Sequence, residues 1–263
     1  MFFHAKRSIY SKNQLLEVMC QYRFLPILRV ETEVPSDFQE ALREDYPRYS
    51  CRKDQQPPKM QMLAGQIPRL EQSAPTNNHC FSSEDGLWRV NLTKDYLTLT
   101  AGRYTIWEEF ARRLDKVLYQ FIQVYRPACF QRVGLRYINA VSRTALELEQ
   151  TPWRELIEEK YLGFMDDETI PETAFGRCTQ DVEMALPGGC RLKLHTGPGL
   201  VHRGVVAGDR EVKFVLDIDV SVNGNLPVNK AVEALNTLHV HAWSVFRGAI
   251  TDTLHDAMGP KEG

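Results

Sequence analysis

Glu211-Val212-Lys213-Phe214-Val215-Leu216-Asp217-Ile218-Asp219-Val220-Ser221-Val222 sets the fold. Val212, Phe214, Leu216, Ile218 and Val220 recur at every second position, with Lys213, Asp217 and Asp219 between them. A period of two is that of a strand with one face buried and one open. Downstream, Asn223-Gly224-Asn225 reads as a turn. A long helix is then expected from about Val228 to Ala257, with Val232, Leu235, Leu238, Val245, Phe246, Ile250 and Leu254 on one side. Upstream, Arg177 to Leu186 and Arg191 to Thr196 read as strands joined by the turn Pro187-Gly188-Gly189. A shorter strand is expected at Leu200 to Val206. Thr151, as N-cap, and Pro152 open a short helix to about Leu162, and Arg132 to Val141 is the strand before it.

The first half follows the same order. Leu15 to Val30 reads as a strand, and Pro35-Ser36-Asp37 opens a short helix, Phe38 to Asp45, stopped by Pro47. Cys51 to Pro58 is a polar loop, Met60 to Ile67 a strand, and Glu71 to Asn78 a loop. Leu87 to Leu92 and Tyr96 to Thr100 form a hairpin across Thr93-Lys94-Asp95. Ile106 to Tyr125 is a long amphipathic helix that Pro127 ends. The short helices share a spacing: Glu40-Ala41-Leu42 with Tyr46, and Glu155-Leu156-Ile157 with Tyr161. The expectation is an α+β protein of two half-domains, 1–127 and 128–263, in one compact unit. They would share one curved, mostly antiparallel sheet with the long helices on one face. This order resembles the duplicated fold of the TATA-box-binding protein, as an architectural comparison that carries no function.

The chain has 263 residues, 43% hydrophobic and 25% charged, with a formal net charge of -2. That length builds a core without disulfide or metal staples. The charge argues against a dedicated nucleic-acid binder, though a local basic patch is compatible with it. Cys20, Cys51, Cys80, Cys129, Cys178 and Cys190 are scattered with neither C-x-x-C nor zinc spacing, and read as structural thiols. Met1 to Tyr10 lacks an apolar run of signal-peptide length, and no stretch is long and apolar enough to span a membrane. A reducing cytoplasm is the expected compartment.

With helices on one face of the sheet, alternate residues point out of the other. In the first half these include Gln21, Arg23, Arg89, Asn91, Tyr96 and Thr98. In the second they include Arg136, Thr179, Asp181, Arg191, Lys193, His195, Lys213, Asp217 and Asp219. The set reads either as an ordinary solvated face or as a binding surface, because arginine forks suit phosphate and carboxylate groups. Asp217 and Asp219 form D-x-D on one side of a strand, a pattern that can hold magnesium for phosphoryl transfer. The competing reading is neutralisation by Arg191 or Lys193 on a neighbouring strand. Arg136 sits mid-strand among apolar residues, so it is paired with Asp217 or Asp219 or else contacts an anionic ligand or partner.

His239 and His241 are two apart on a helix, diverge by about 200°, and cannot share a metal. His195 and His202 flank Gly197-Pro198-Gly199, read as a turn, and a zinc pair there lacks a third ligand. No serine or cysteine stands in a nucleophile motif, and the glycine pairs do not lead from strand to helix as phosphate loops do.

Four stretches resemble a sporadically distributed prokaryotic family of about this length with no assigned activity. They are Glu17-Val18-Met19-Cys20-Gln21-Tyr22-Arg23-Phe24, Tyr104-Thr105-Ile106-Trp107-Glu108-Glu109-Phe110, Val133-Gly134-Leu135-Arg136-Tyr137-Ile138-Asn139, and Leu238-His239 with Phe246 and Ile250-Thr251. The resemblance covers nearly the whole chain, implies one complete protein and supplies no catalytic residue. The patchy occurrence of such a family suggests phage defence or toxin–antitoxin modules.

The function expected is a non-enzymatic binding or regulatory module that engages a protein partner or a nucleotide-like anion. The expected contacts are Arg23, Arg89, Arg136, Asn139, Arg191, Lys193 and His195. The alternative is a magnesium-dependent enzyme acting on nucleotides or nucleic acid through Asp217 and Asp219. A third reading is a subunit that forms a homodimer through a sheet edge. Loops at Cys51 to Lys59, Glu71 to Asn78 and Met165 to Thr173 are expected to be the most mobile.

Overall fold

The computed structural model describes residues 7–55, 59–61, 69–71, 74–201 and 210–262. In chain order the elements are β1 (Ser8–Tyr10), β2 (Leu15–Phe24), α1 (Leu28–Thr32), α2 (Ser36–Leu42), β3 (Arg48–Asp54), β4 (Lys59–Gln61), β5 (Arg69–Glu71), β6 (Thr76–Ser82), β7 (Trp88–Leu92), β8 (Tyr96–Ala101) and α3 (Trp107–Tyr125). There follow β9 (Phe130–Val141), β10 (Gln180–Ala185), β11 (Cys190–Leu200), β12 (Val212–Leu226), α4 (Ala231–Arg247), α5 (Asp252–Ala257) and β13 (Pro260–Glu262). The protein is α+β, built on an antiparallel nine-stranded sheet in the order β10-β11-β12-β9-β2-β8-β7-β6-β3. The first strands that the two halves give to this sheet, β2 and β9, pair at the centre. Beside each lies the last strand before that half's long helix, β8 or β12. No helix among the described residues is long and apolar enough to cross a membrane.

Both long helices cover one face. Phe24 packs against Phe121 of α3, Trp88 against Phe110 of α3, and Tyr137 against His239 of α4. α2 joins them there through Phe38, which meets Phe81 and Phe121 edge-on. The strand alternation supplies this core directly: Val18, Cys20, Tyr22 and Phe24 of β2 and Phe214, Leu216, Ile218 and Val220 of β12 are all buried.

Several local expectations are corrected. β2 ends at Phe24, before Pro26, and α1 occupies residues read as strand. Cys51 to Pro58 is not simply a loop, because Arg48–Asp54 forms the edge strand β3, paired with β6 over residues read as loop up to Asn78. β3 is exposed along nearly its whole length and carries Arg48, Arg52 and Lys53. An edge strand so charged resists pairing with other chains and shows no alternation. Most of Met60 to Ile67 lies outside the described residues, as does most of Leu200 to Val206, including His202.

The helix expected at Thr151 to Leu162 is instead a pair of 3-10 turns, Trp153–Glu155 and Glu159–Tyr161, with Pro152 rather than Thr151 at the cap. The shared spacing around Tyr46 and Tyr161 therefore falls on different local structures, although both tyrosines are buried. Gly197-Pro198-Gly199 is not a turn: it continues β11 against β12. Gly197 has φ +142° and faces the backbone of Cys178 and Thr179, so a side chain there would meet Thr179 Cα at 2.9 Å. Pro198 lies beyond the β10 pairing, which stops at Thr196, and stands opposite Phe214 of β12. Asn223-Gly224-Asn225 is likewise a bulge within β12, not a chain-reversing turn.

The last long helix is broken. α4 stops at Gly248, Ile250 bridges to Ile157, and Thr251 starts α5 by accepting the Leu254 N–H at 3.3 Å. The hairpin at Thr93-Lys94-Asp95 and the turn at Pro187-Gly188-Gly189 stand where expected.

Candidate functional site

The face opposite the helices carries ion pairs. Four strands bring Arg136, Lys193, His195, Asp217 and Asp219 together, with Asp181 and Glu183, around a groove of about 700 Å³ including its open side. Register explains the pairing. Arg136 stands directly opposite Asp219 but reaches one row along to clasp Asp217 with two nitrogens, Nε at 2.7 Å. That leaves Asp219 to Arg132, whose Nη2 lies 2.7 and 2.9 Å from its two oxygens.

To get there Arg132 crosses the row of Gly134 and Ser221. A Cβ on Gly134 would sit inside that guanidinium, 2.6 Å from its Cζ. The glycine in mid-strand is thus the opening through which Arg132 passes. Asp219 is therefore neutralised by Arg132 and Asp217 by Arg136, one of the two pairings read for that arginine, rather than by the Arg191 or Lys193 of the competing reading of the D-x-D pair. The Asp217 carboxylate raises the Arg136 pKa above its usual value, chiefly through the hydrogen bond, against the opposing effect of burial.

The other expected contacts are distributed more widely. Lys193 pairs with Glu183 at 2.6 Å, and His195 Nδ1 with Asp181 at 2.8 Å. Arg89 lies 3.6 Å from Glu17 and Arg23 3.9 Å from Asp95, both away from the groove. Arg191 is exposed and makes no ion pair among the described residues. Asn139 does not belong to this face. It is three residues from Arg136, and an odd spacing on a strand reverses the side. It is buried, donating to the Leu216 carbonyl at 3.2 Å.

Both oxygens of each D-x-D aspartate are engaged by a guanidinium, so a magnesium ion there would have to displace Arg136 or Arg132. Among the described residues no three His, Cys, Asp or Glu side chains gather as metal ligands would.

On the helix side, where the two halves meet, lies a second concavity that the sequence reading missed. It measures about 620 Å³ including its mouth and is mostly apolar. β1, paired with β13, forms one wall; the start of α3, the middle of α4 and Tyr137 and Asn139 of β9 form the others. The His239 ring lies flat on Trp107, centroids 3.9 Å apart and planes 3° from parallel. Its Nδ1 is 2.9 Å from the Tyr137 hydroxyl, and its Nε2 is buried without a hydrogen-bond partner.

Burial, then the nearby Arg7, push the His239 imidazole down to about 4, against Glu108. At the mouth Arg7 grips Glu108 with two hydrogen bonds, of 2.7 and 3.0 Å. The one sequence signal for this site is that Tyr104, Trp107, Tyr137, Asn139, His239 and Phe246 all fall in the stretches from which a family resemblance was expected. Compared with protein-family models, the chain matches none. No curated protein matches it either.

Proposed function

We propose that this protein is a non-catalytic binding module that engages a protein partner through the sheet face opposite the helices, and that the partner presents a basic segment. One observation carries the reading: around the groove four carboxylates, of Asp181, Glu183, Asp217 and Asp219, face three permanent cations, Arg136, Lys193 and the Arg132 that clasps Asp219, which leaves Asp181 with only a histidine as partner. An excess of one carboxylate, centred on Asp181 at the outer strand, disfavours phosphate and favours lysine and arginine. Half-buried Met19, Ile138 and Val215 on the same face add apolar contact of the kind protein interfaces use. The acid balance opposes a nucleotide-like anion in the groove, and exposed Arg191 is the place on this face where an anion would find a cation without an ion pair.

The scaffold we infer is a duplicated half-domain like that of the TATA-box-binding protein. It is supported by the central pairing of β2 with β9 and by β8 and β12 flanking them. It is weakened by the differing short segments, α2 against 3-10 turns. A magnesium-dependent enzyme acting through Asp217 and Asp219 is the second reading, favoured by the acid excess and opposed by the two guanidinium clasps.

Native mass spectrometry of the protein isolated from its own cells tests these readings. A co-purifying protein that is lost in Asp181→Lys/Glu183→Lys and retained in Arg191→Glu is the expected result. A nucleotide lost in Arg191→Glu would overturn it in favour of the anion. A stoichiometric divalent ion lost in Asp217→Ala would overturn it in favour of the enzyme.

A further inference from the structure

The cleft on the helix side has a composition unlike that of the groove. Tyr10, Tyr104, Trp107, Tyr137, Trp243 and Phe246 line it, a dense set of rings for one concavity. Among the described residues charge is confined to its mouth, where Arg7 and Glu108 cancel each other. A ligand seated inside is therefore uncharged, since a net charge would be desolvated without a counter-ion. Flat rings on the walls favour a flat ring in the space between them, by offset or edge-on stacking.

The remaining polar demand comes from His239. A neutral imidazole has one nitrogen that donates and one that accepts. The Tyr137 hydroxyl occupies Nδ1, while Nε2 has no partner and almost no accessible surface, so a ligand in the cleft reaches it only by displacing the groups packed around it. Leaving such an atom unsatisfied costs about as much as a lost hydrogen bond, and native proteins rarely do so without a reason. A hydroxyl group meets the need of Nε2 in either tautomer, because it both donates and accepts.

We infer that this cleft is a binding site for a small, uncharged, planar aromatic molecule carrying a hydroxyl group, and that the hydroxyl pairs with His239 Nε2. The site is independent of the sheet-face groove, which lies on the opposite side of the sheet. Tyr137 and Trp107 act as positioning residues: one fixes the orientation of the imidazole through Nδ1 and the other fixes its plane by stacking.

The test uses the full-length protein and two probes that differ in one group, 2-naphthol and 2-methylnaphthalene, titrated by calorimetry. The expected result is one-to-one binding, with 2-naphthol tighter by about 3- to 10-fold, the value of one net hydrogen bond. His239→Phe should retain binding of 2-methylnaphthalene and erase the preference. Ala242→Trp, which fills the cleft from α4, should abolish binding of both probes. Asp181→Lys in the groove should change neither affinity, which separates this site from the proposed partner surface. In the unmutated protein, 2-naphthol should shift the 15N resonance of His239 Nε2 and leave that of His195 in place, a readout that holds even where a variant fails to fold. Absence of one-to-one binding, a preference that survives His239→Phe, or an unmoved His239 resonance would each overturn the assignment.

Discussion

Gly134→Ala probes the least expected feature of the sheet face, an arginine passing over a glycine. The new Cβ would sit 2.6 Å from Arg132 Cζ and closer still to Nη1, so the guanidinium must leave. The backbone stays unstrained, because Gly134 is not among the positive-φ glycines. What is lost is the clasp on Asp219 and the 3.3 Å contact to Gln21.

A charged hydrogen-bonded pair contributes about 1.5–3 kcal/mol when well sheltered. Here the two side chains are 21% and 26% exposed, and screening reduces that to about 1–2 kcal/mol. Against this, alanine stabilises by about 0.4–1 kcal/mol through a less flexible unfolded chain. The net expectation is a loss of about 0–1.6 kcal/mol, or a fall in Tm of up to about 6 °C for a protein of this size at about 2–4 °C per kcal/mol. Urea denaturation of the single and double variants measures it. In an Arg132→Ala background the clash is gone, so Gly134→Ala should be neutral or stabilising, giving a coupling of about 1–2 kcal/mol. An equal penalty in both backgrounds would refute the passage of Arg132 over Gly134 and point to backbone packing instead.

Three further outcomes follow from the buried groups. Below the ordinary histidine value of 6.5 the unfolded chain takes up a proton on His239, while the folded chain does so only near 4. Stability should therefore fall as pH drops from 6.5 to 4, by on the order of 3 kcal/mol at most, and His239→Phe should remove that part of the slope in denaturation curves run across the window. Trp153 is 1% exposed, packs 5.4 Å from Phe214 and lies under the Arg143 guanidinium. Trp153→Ala should cost about 3–5 kcal/mol, whereas Phe164→Ala, at a ring 78% exposed, should stay within about 0.5 kcal/mol. Among the cysteines Cys51 is exposed and Cys20 and Cys190 are buried, so a thiol reagent should modify Cys51 in the native state and reach Cys20 and Cys190 only with unfolding, as peptide mass mapping will show.

The sequence by itself determined the elements whose two faces differ. In β2, β9 and β12 apolar and polar residues alternate because each strand has one side in the core, and α3 keeps its period because one stripe packs on the sheet. The open-face position of Arg136, Lys193, His195, Asp217 and Asp219 followed from parity alone. Tertiary structure decided what parity cannot. β3 shows no alternation because it is an edge, and β6 is recognised only through polar groups satisfied at a distance, as when buried His79 meets the Val30 carbonyl and the Tyr49 hydroxyl. The break after α4 depends on Ile250 bridging to Ile157, a contact across most of a half-domain. The choice of Arg132 over Lys193 for Asp219 was set by inter-strand register and by the absence of one Cβ at Gly134. The rings of the cleft around His239 come from four segments of the chain, around Tyr10, Trp107, Tyr137 and Trp243, so they share no local period, and only packing brings them together.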